Sequence, residues 1–155
     1  TGHEAKLYST IAAPMAHAAA LSAAESSSRA FLICPGTYTE NVTATPPDNA
    51  RWDVHGIGQG RTIWTTAANS TTLWLCSNTG AGRVTVRDIR FDLASFTSAF
   101  GIRNGGTAQD FTISDCHFVT GGTATGATRS AGISNSGSCP GRYCLVTQLL
   151  RLPSN

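Results

Sequence analysis

The sequence predicts an all-β solenoid, a short stack of strand-built coils with one α-helix at its N-terminal end, and three observations predict it. First, Val84-Thr85-Val86-Arg87-Asp88-Ile89-Arg90-Phe91 recurs as Phe111-Thr112-Ile113-Ser114-Asp115-Cys116-His117-Phe118, with every apolar position and the central aspartate at one constant offset. Second, Trp52-Asp53-Val54-His55-Gly56-Ile57-Gly58 fits the same template upstream, with Trp52, Val54 and Ile57 inward and Gly56 in the slot of Asp88 and Asp115. Third, Leu75-Cys76-Ser77-Asn78, Gly101-Ile102-Arg103-Asn104 and Gly132-Ile133-Ser134-Asn135 each carry an apolar pair into an asparagine turn, in phase with the first family. Asparagine and aspartate tolerate left-handed backbone and bond neighbouring peptide groups, as stacked corners require. Stacking of this kind lays Ile89 on Cys116 and Phe91 on Phe118.

Taken in order, residues 9–27 are rich in alanine and place Ile11, Met15, Ala18, Ala19 and Leu21 at helical spacing. Ser9 or Thr10 serves as N-cap, and Pro14 limits the regularity of the first turn. Laid over the first coil, this helix covers an open strand edge. Ala30-Phe31-Leu32-Ile33-Cys34 is the first strand; Pro35-Gly36-Thr37-Tyr38 is a corner, and Glu40-Asn41-Val42-Thr43 opens the next strand. Residues 121–128 form a loop by composition, and only Cys144 to Leu152 offers a later apolar run, read as a final strand, a cap or an interface. The chain thus divides into an N-terminal arm and capping helix (1–29), the coils (30–120), and a last coil, loop and C-terminal segment (121–155). Four or five coils at strand spacing give a body on the order of 20 Å long. So few coils point to an oligomer, because each repeat is stabilised mainly by its neighbours.

Composition narrows the function classes. Of 155 residues, 41% are hydrophobic and only 13% charged, with a formal net charge of +2. That balance points away from a nucleic-acid partner. No apolar run is long enough to span a bilayer. Cys34, Cys76 and Cys116 sit among apolar neighbours and read as buried thiols. Cys139 and Cys144 flank a Pro-Gly turn and can close a hairpin disulfide in an oxidising compartment. No second ligand pair stands at zinc-finger spacing. Gly56-Ile57-Gly58-Gln59-Gly60 lacks the following helix and the lysine of a nucleotide loop.

The alanine-rich helix, then Phe31-Leu32-Ile33-Cys34-Pro35-Gly36-Thr37-Tyr38-Thr39-Glu40-Asn41-Val42, then Val54-His55-Gly56-Ile57-Gly58-Gln59-Gly60-Arg61-Thr62-Ile63 resemble the opening of pectate-lyase-like proteins. The resemblance covers roughly residues 9–120, and pectin methylesterases are its nearest enzymatic likeness. It implies a right-handed single-stranded parallel β-helix of about four to five coils with an N-terminal capping helix. It does not carry a catalytic site. Val119-Thr120-Gly121-Gly122 holds no Gln-Asp pair, and Ser98-Ala99-Phe100 lacks the glutamine of the esterases.

The best ionisable cluster is Asp88, Arg90 and Asp92 on one strand with Asp115 and His117 one coil later. It suits uronic-acid chemistry or calcium binding, or else it is a set of turn aspartates and a solvated row. His55 approaches His117 only if the coils place them together. Trp64, Trp74 and Tyr38 are candidates to stack on sugar rings or to fill corners of the core. Signals for the fold without signals for catalysis lead to a structural or adhesive module of a virion-surface or extracellular spike, fibre or decoration protein. Such a protein is expected to be homo-oligomeric, with a trimer favoured, and to contact surface polysaccharide without a cofactor. The rival expectation is a polysaccharide-active lyase or esterase, or a fragment of one, using Asp88, Arg90, Asp115 and His117, with calcium if it is lyase-like.

Overall fold

The computed structural model describes residues 8–21, 28–47, 50–58, 60–68, 72–76, 83–93, 100–104, 110–120, 131–135 and 145–146. Among these, one helix, α1 (Ala12–Ala20), precedes thirteen strands: β1 (Ser28–Ile33), β2 (Gly36–Thr39), β3 (Val42–Ala44), β4 (Arg51–Gly56), β5 (Thr62–Thr65), β6 (Thr72–Cys76), β7 (Arg83–Arg87), β8 (Arg90–Leu93), β9 (Phe100–Asn104), β10 (Asp110–Ser114), β11 (His117–Thr120), β12 (Ala131–Asn135) and β13 (Leu145–Val146). The strands form three sheets, and the chain visits them in rotation. The first sheet has the order β1-β4-β7-β10-β13, the second β2-β5-β8-β11 and the third β3-β6-β9-β12, so each strand pairs with the one three places along. Every pairing is parallel.

The registers follow from which side chains need burial. In the first sheet Phe31, Val54, Val86 and Ile113 face one another across successive strands, and all four are buried. In the second, Tyr38, Trp64, Phe91 and Phe118 stand in line. The Trp64 and Phe91 rings stack with centroids 5.7 Å apart, and Phe91 lies on Phe118 at 4.9 Å with the rings nearly parallel at 8°. Like side chains stacked in this way give a parallel sheet its side-chain pairing energy as well as burial. The offset that carries Val84 to Phe111 and Phe91 to Phe118 is therefore the true register of β7 with β10 and of β8 with β11. Cys116 also lies where expected, against the Ile89 backbone, with its thiol directed at the Val86 carbonyl at 3.7 Å.

The third sheet departs from the expected alignment. Ile102 faces Ile133 and Asn104 faces Asn135, as the sequence pattern has it. β6, however, places Trp74 opposite Ile102 and Cys76 opposite Asn104, two positions away from the predicted pairing of Asn78 with Asn104. A slip of two preserves the alternation of faces, so period-two patterning alone cannot exclude it. Asn78 itself lies outside the described residues, as does the Cys139–Cys144 hairpin.

α1 is shorter than the predicted helix, ending at Ala20 before an extended Leu21. Pro14 falls in its first turn, where a missing N–H costs no intrahelical bond. Thr10 Oγ accepts the Ala13 N–H at 3.3 Å. The first two amides are taken from a distance: Glu40 accepts the Ile11 N–H at 2.7 Å through one carboxylate oxygen and the Ala12 N–H at 3.0 Å through the other. The same residue accepts the Trp64 indole N–H on its backbone carbonyl at 2.8 Å. The predicted Pro-Gly-Thr-Tyr corner is partly strand, since Gly36–Thr39 is β2 and pairs with β5. Glu40 ends that segment and ties helix, corner and core together.

Candidate functional site

The bend between the first and second sheets is where ionisable side chains gather. After β7 and again after β10 the chain turns at an aspartate in left-handed conformation, Asp88 at φ 57° and Asp115 at φ 50°. The next residue, Ile89 or Cys116, drops into the core, and the one after, Arg90 or His117, begins the outward face of the second sheet. Backbone bonds from Asp88 N–H to the Ser114 carbonyl and from His117 N–H to the Ile89 carbonyl hold the two bends in register.

Alternation puts Asp53 and His55 of β4 and Thr85 and Arg87 of β7 on the outward face. There they pair diagonally between strands: Arg87 donates to Asp53 at 2.8 Å and His55 Nε2 lies 2.9 Å from Asp88 Oδ2. On β8, Arg90 donates to Asp92, two positions along the same strand, at 2.7 Å. These groups are a quarter to two-fifths exposed, so each pair stabilises weakly, by about 1 kcal/mol or less. Asp53 Oδ1, Arg87 Nε, Arg90 Nε and His117 Nε2 are buried at the atom level without a partner.

The residues singled out from sequence thus lie on adjacent strands and bends, with His55 added as a partner of Asp88. Asp88 sits at the bend and pairs with His55; Arg90 turns to Asp92; Asp115 is exposed on the next bend. His117 stands opposite Arg90 in the register, whereas His55 stands opposite Arg87 in the first sheet, so the two histidines occupy different sheets. Among the described residues no three His, Cys, Asp or Glu side chains are grouped to hold a metal ion. Trp64 is wholly buried, with no face for a sugar ring, and Tyr38 is half-buried with its hydroxyl donating to the Cys34 carbonyl at 3.0 Å. Burial first, then the neighbouring Cys34 and Glu40, raises the Tyr38 pKa. The side chain of Trp74 lies outside the described residues.

Two inward assignments are corrected. Ile57 is 37% exposed, not buried, because β4 keeps its alternation through Gly56 and positions 57–61 then intervene before β5. Thr62 enters the core in its place, wholly buried. Cys34 is exposed, because Ile33 is the last inward residue of β1 and Cys34 follows it outward. Cys116 is buried as expected, and burial pushes its thiol up to about 12.

A concavity lies elsewhere, at the N-terminal end. A cleft of about 700 Å³ runs between α1, with Tyr8 ahead of it, and the whole length of β1, and Tyr38 completes its lining. Sequence reasoning missed Arg29 and Leu32 as surface features because it took the helix to cover this edge. Leu32, 64% exposed, was the available signal, an apolar residue at an outward position of the first strand.

The class that fold and site define is an all-β protein of three parallel sheets, with a cross-braced polar bend and an open cleft at its helical end. No protein family, curated protein or solved structure matches the chain. Among the described residues no helix is long and apolar enough to cross a membrane.

Proposed function

We propose that the three sheets are the faces of a right-handed single-stranded parallel β-helix of the pectate-lyase-like kind, and that the chain is a structural and adhesive module of an extracellular or virion-surface spike, fibre or decoration protein. The rotation of the chain through three parallel sheets supports the coil. One observation carries the functional reading: the outward ionisable groups are taken up in pairs, two of them across neighbouring strands and one along β8. Asp53 is held by Arg87, Asp88 by His55 and Asp92 by Arg90. Hydrolysis of a glycosidic bond needs two carboxyl groups set across one scissile linkage. Here Asp53, Asp88 and Asp92 each pair with a neighbouring basic side chain. That arrangement suits a rod under load better than a reaction centre.

The outward faces carry neutral hydroxyls, Thr37 and Thr39 on β2, Thr65 on β5, Thr85 on β7 and Thr112 on β10, which suit contact with polysaccharide. An assembly of copies, a trimer above all, provides the neighbours that so few coils need. Sedimentation of the full chain, with binding and turnover assays on pectin, alginate and capsule polysaccharides with and without calcium, tests the reading. The expected result is an oligomer that retains polysaccharide and leaves it intact. Turnover that disappears in Asp115→Ala while the fold persists overturns it, and a stable monomer removes the assembly.

A further inference from the structure

The cleft between α1 and β1 has the shape and the hydrogen-bonding edge of a strand receptor. β1 is the end strand of the first sheet, and among the described residues no strand pairs with its outer side, where the Arg29 guanidinium donates to the Ser28 carbonyl at 3.0 Å. Which of its backbone groups are on offer follows from one bond: the Ile57 N–H donates to the Ile33 carbonyl at 3.1 Å, so Ile33 addresses β4. In a parallel ladder successive residues turn their backbone groups to opposite neighbours. Arg29, Phe31 and Ile33 therefore address β4, and Ser28, Ala30 and Leu32 present theirs to the cleft. An open edge beside an exposed leucine is a feature that proteins ordinarily cover.

The occupant is constrained in length, width and charge. The six residues of β1 span about 20 Å, the reach of an extended hexapeptide. Helix α1 forms the far wall, so one strand enters and the end of a whole second coil does not. Leu32 offers apolar contact, with the buried Ile11, Met15 and Phe31 behind the cleft wall. The basic side chains among the described lining are Arg29 and His17, and no aspartate or glutamate lines it.

We propose that this cleft captures an extended peptide segment of a partner protein, apolar at alternate positions and carrying a carboxylate, which adds to the free edge of β1 as a further strand of the first sheet. The fit is independent of whether the module grips a polysaccharide, and the test is independent of the assays above.

The test uses the full chain and an end-blocked synthetic hexapeptide of alternating valine and threonine with one threonine replaced by glutamate. Fluorescence anisotropy is expected to show saturable binding, and hydrogen exchange new protection of the Ala30 and Leu32 amides. N-methylation of alternate amides along one edge of the peptide abolishes binding, and along the other edge leaves it intact, since only one edge meets β1. Arg29→Glu weakens the glutamate peptide about tenfold and spares the valine–threonine peptide that lacks the glutamate, the equivalent of one charge-assisted contact. Four results overturn the proposal. They are no binding at millimolar peptide, equal tolerance of methylation on both edges, Ala30 and Leu32 amides already protected without peptide because the chain covers its own edge, and a concentration-dependent self-association that the peptide disrupts because a second copy is the occupant.

Discussion

The bend between the first and second sheets is built in two ways, and the contrast explains how successive strands fit together. After β7 and β10 it is tight: Asp88 and Asp115 adopt left-handed backbone and the following residue enters the core at once. After β4 it is wide: positions 57–61 intervene, the positive φ of 82° falls on Gly58, and the Arg61 and Thr62 amides both return to the Gly58 carbonyl at 2.9 Å. The two are complementary. Gly56 lies directly beneath Asp88, and a Cβ there would collide with the Asp88 carbonyl oxygen and come within 2.8 Å of Ile89 Cγ1. The tight bend at Asp88 therefore needs a hole below it, and the wide bend supplies one because its own turning is done further along, whereas Asp115 stacks on the like bend at Asp88 without one. The core position reached at once by Ile89 and Cys116 is filled in the wide bend by Thr62, whose hydroxyl accepts the Ile57 N–H at 2.9 Å and donates to the Ile33 carbonyl at 3.3 Å.

Thiol labelling gives the largest contrast. Cys34, outside the core, is expected to react with iodoacetamide at pH 8 at least about a hundredfold faster than Cys116, whose thiol waits for local opening. Peptide-resolved mass spectrometry reads both sites, and equal rates would place Cys116 at the surface. The same burial links stability to pH. A folded-state pKa raised from 9.0 to about 12 means the native state holds this proton more tightly, so stability is intact below pH 9 and declines as pH climbs towards 12. Replacing Cys116 with Ala flattens that decline in urea titrations.

Filling the hole comes next. Gly56→Ala sets a methyl against backbone that cannot yield, and about 3 kcal/mol of unfolding free energy is expected to be lost. Chemical denaturation measures it, and a loss under about 1 kcal/mol would mean the two bends are not in contact. Thr62→Val keeps the shape of the core residue but removes the hydroxyl that bonds the Ile57 N–H and the Ile33 carbonyl; the Ile57 N–H retains the Ile33 carbonyl, and the loss is about 1.5 kcal/mol. Asp115→Val, forced into left-handed backbone, loses about 1.5 kcal/mol, whereas Asp115→Gly stays within about 0.5 kcal/mol of the parent. Smallest is the brace across the bends. In a double-mutant cycle of His55→Ala and Asp88→Asn the coupling is expected below about 1 kcal/mol, because both groups are about one-third exposed.

The two bends also mark how far the chain could be read without its structure. The repeated cassette, the stacked Phe91 and Phe118 and the turn role of Asp88 and Asp115 were all legible, because tight bends keep strand offsets constant and patterns align without gaps. The wide bend broke that constancy. Its inserted residues moved the inward position from Ile57 to Thr62, and a local pattern carries no record of where an insertion lies. The aspartates and arginines were visible as ionisable residues, yet their partners were not, since Asp53 with Arg87 and His55 with Asp88 join positions far apart along the chain.

What the sequence alone determined is the alternation, the repeat and the left-handed turn residues, because each depends on neighbours within a few positions along the chain. The tertiary structure alone decided the slip of β6 by two positions, the use of Glu40 as a distant cap for α1, the mutual commitment of the outer charges and the open edge of β1. These depend on which strands lie side by side. Parity permits several such pairings, and only packing of the whole core selects among them.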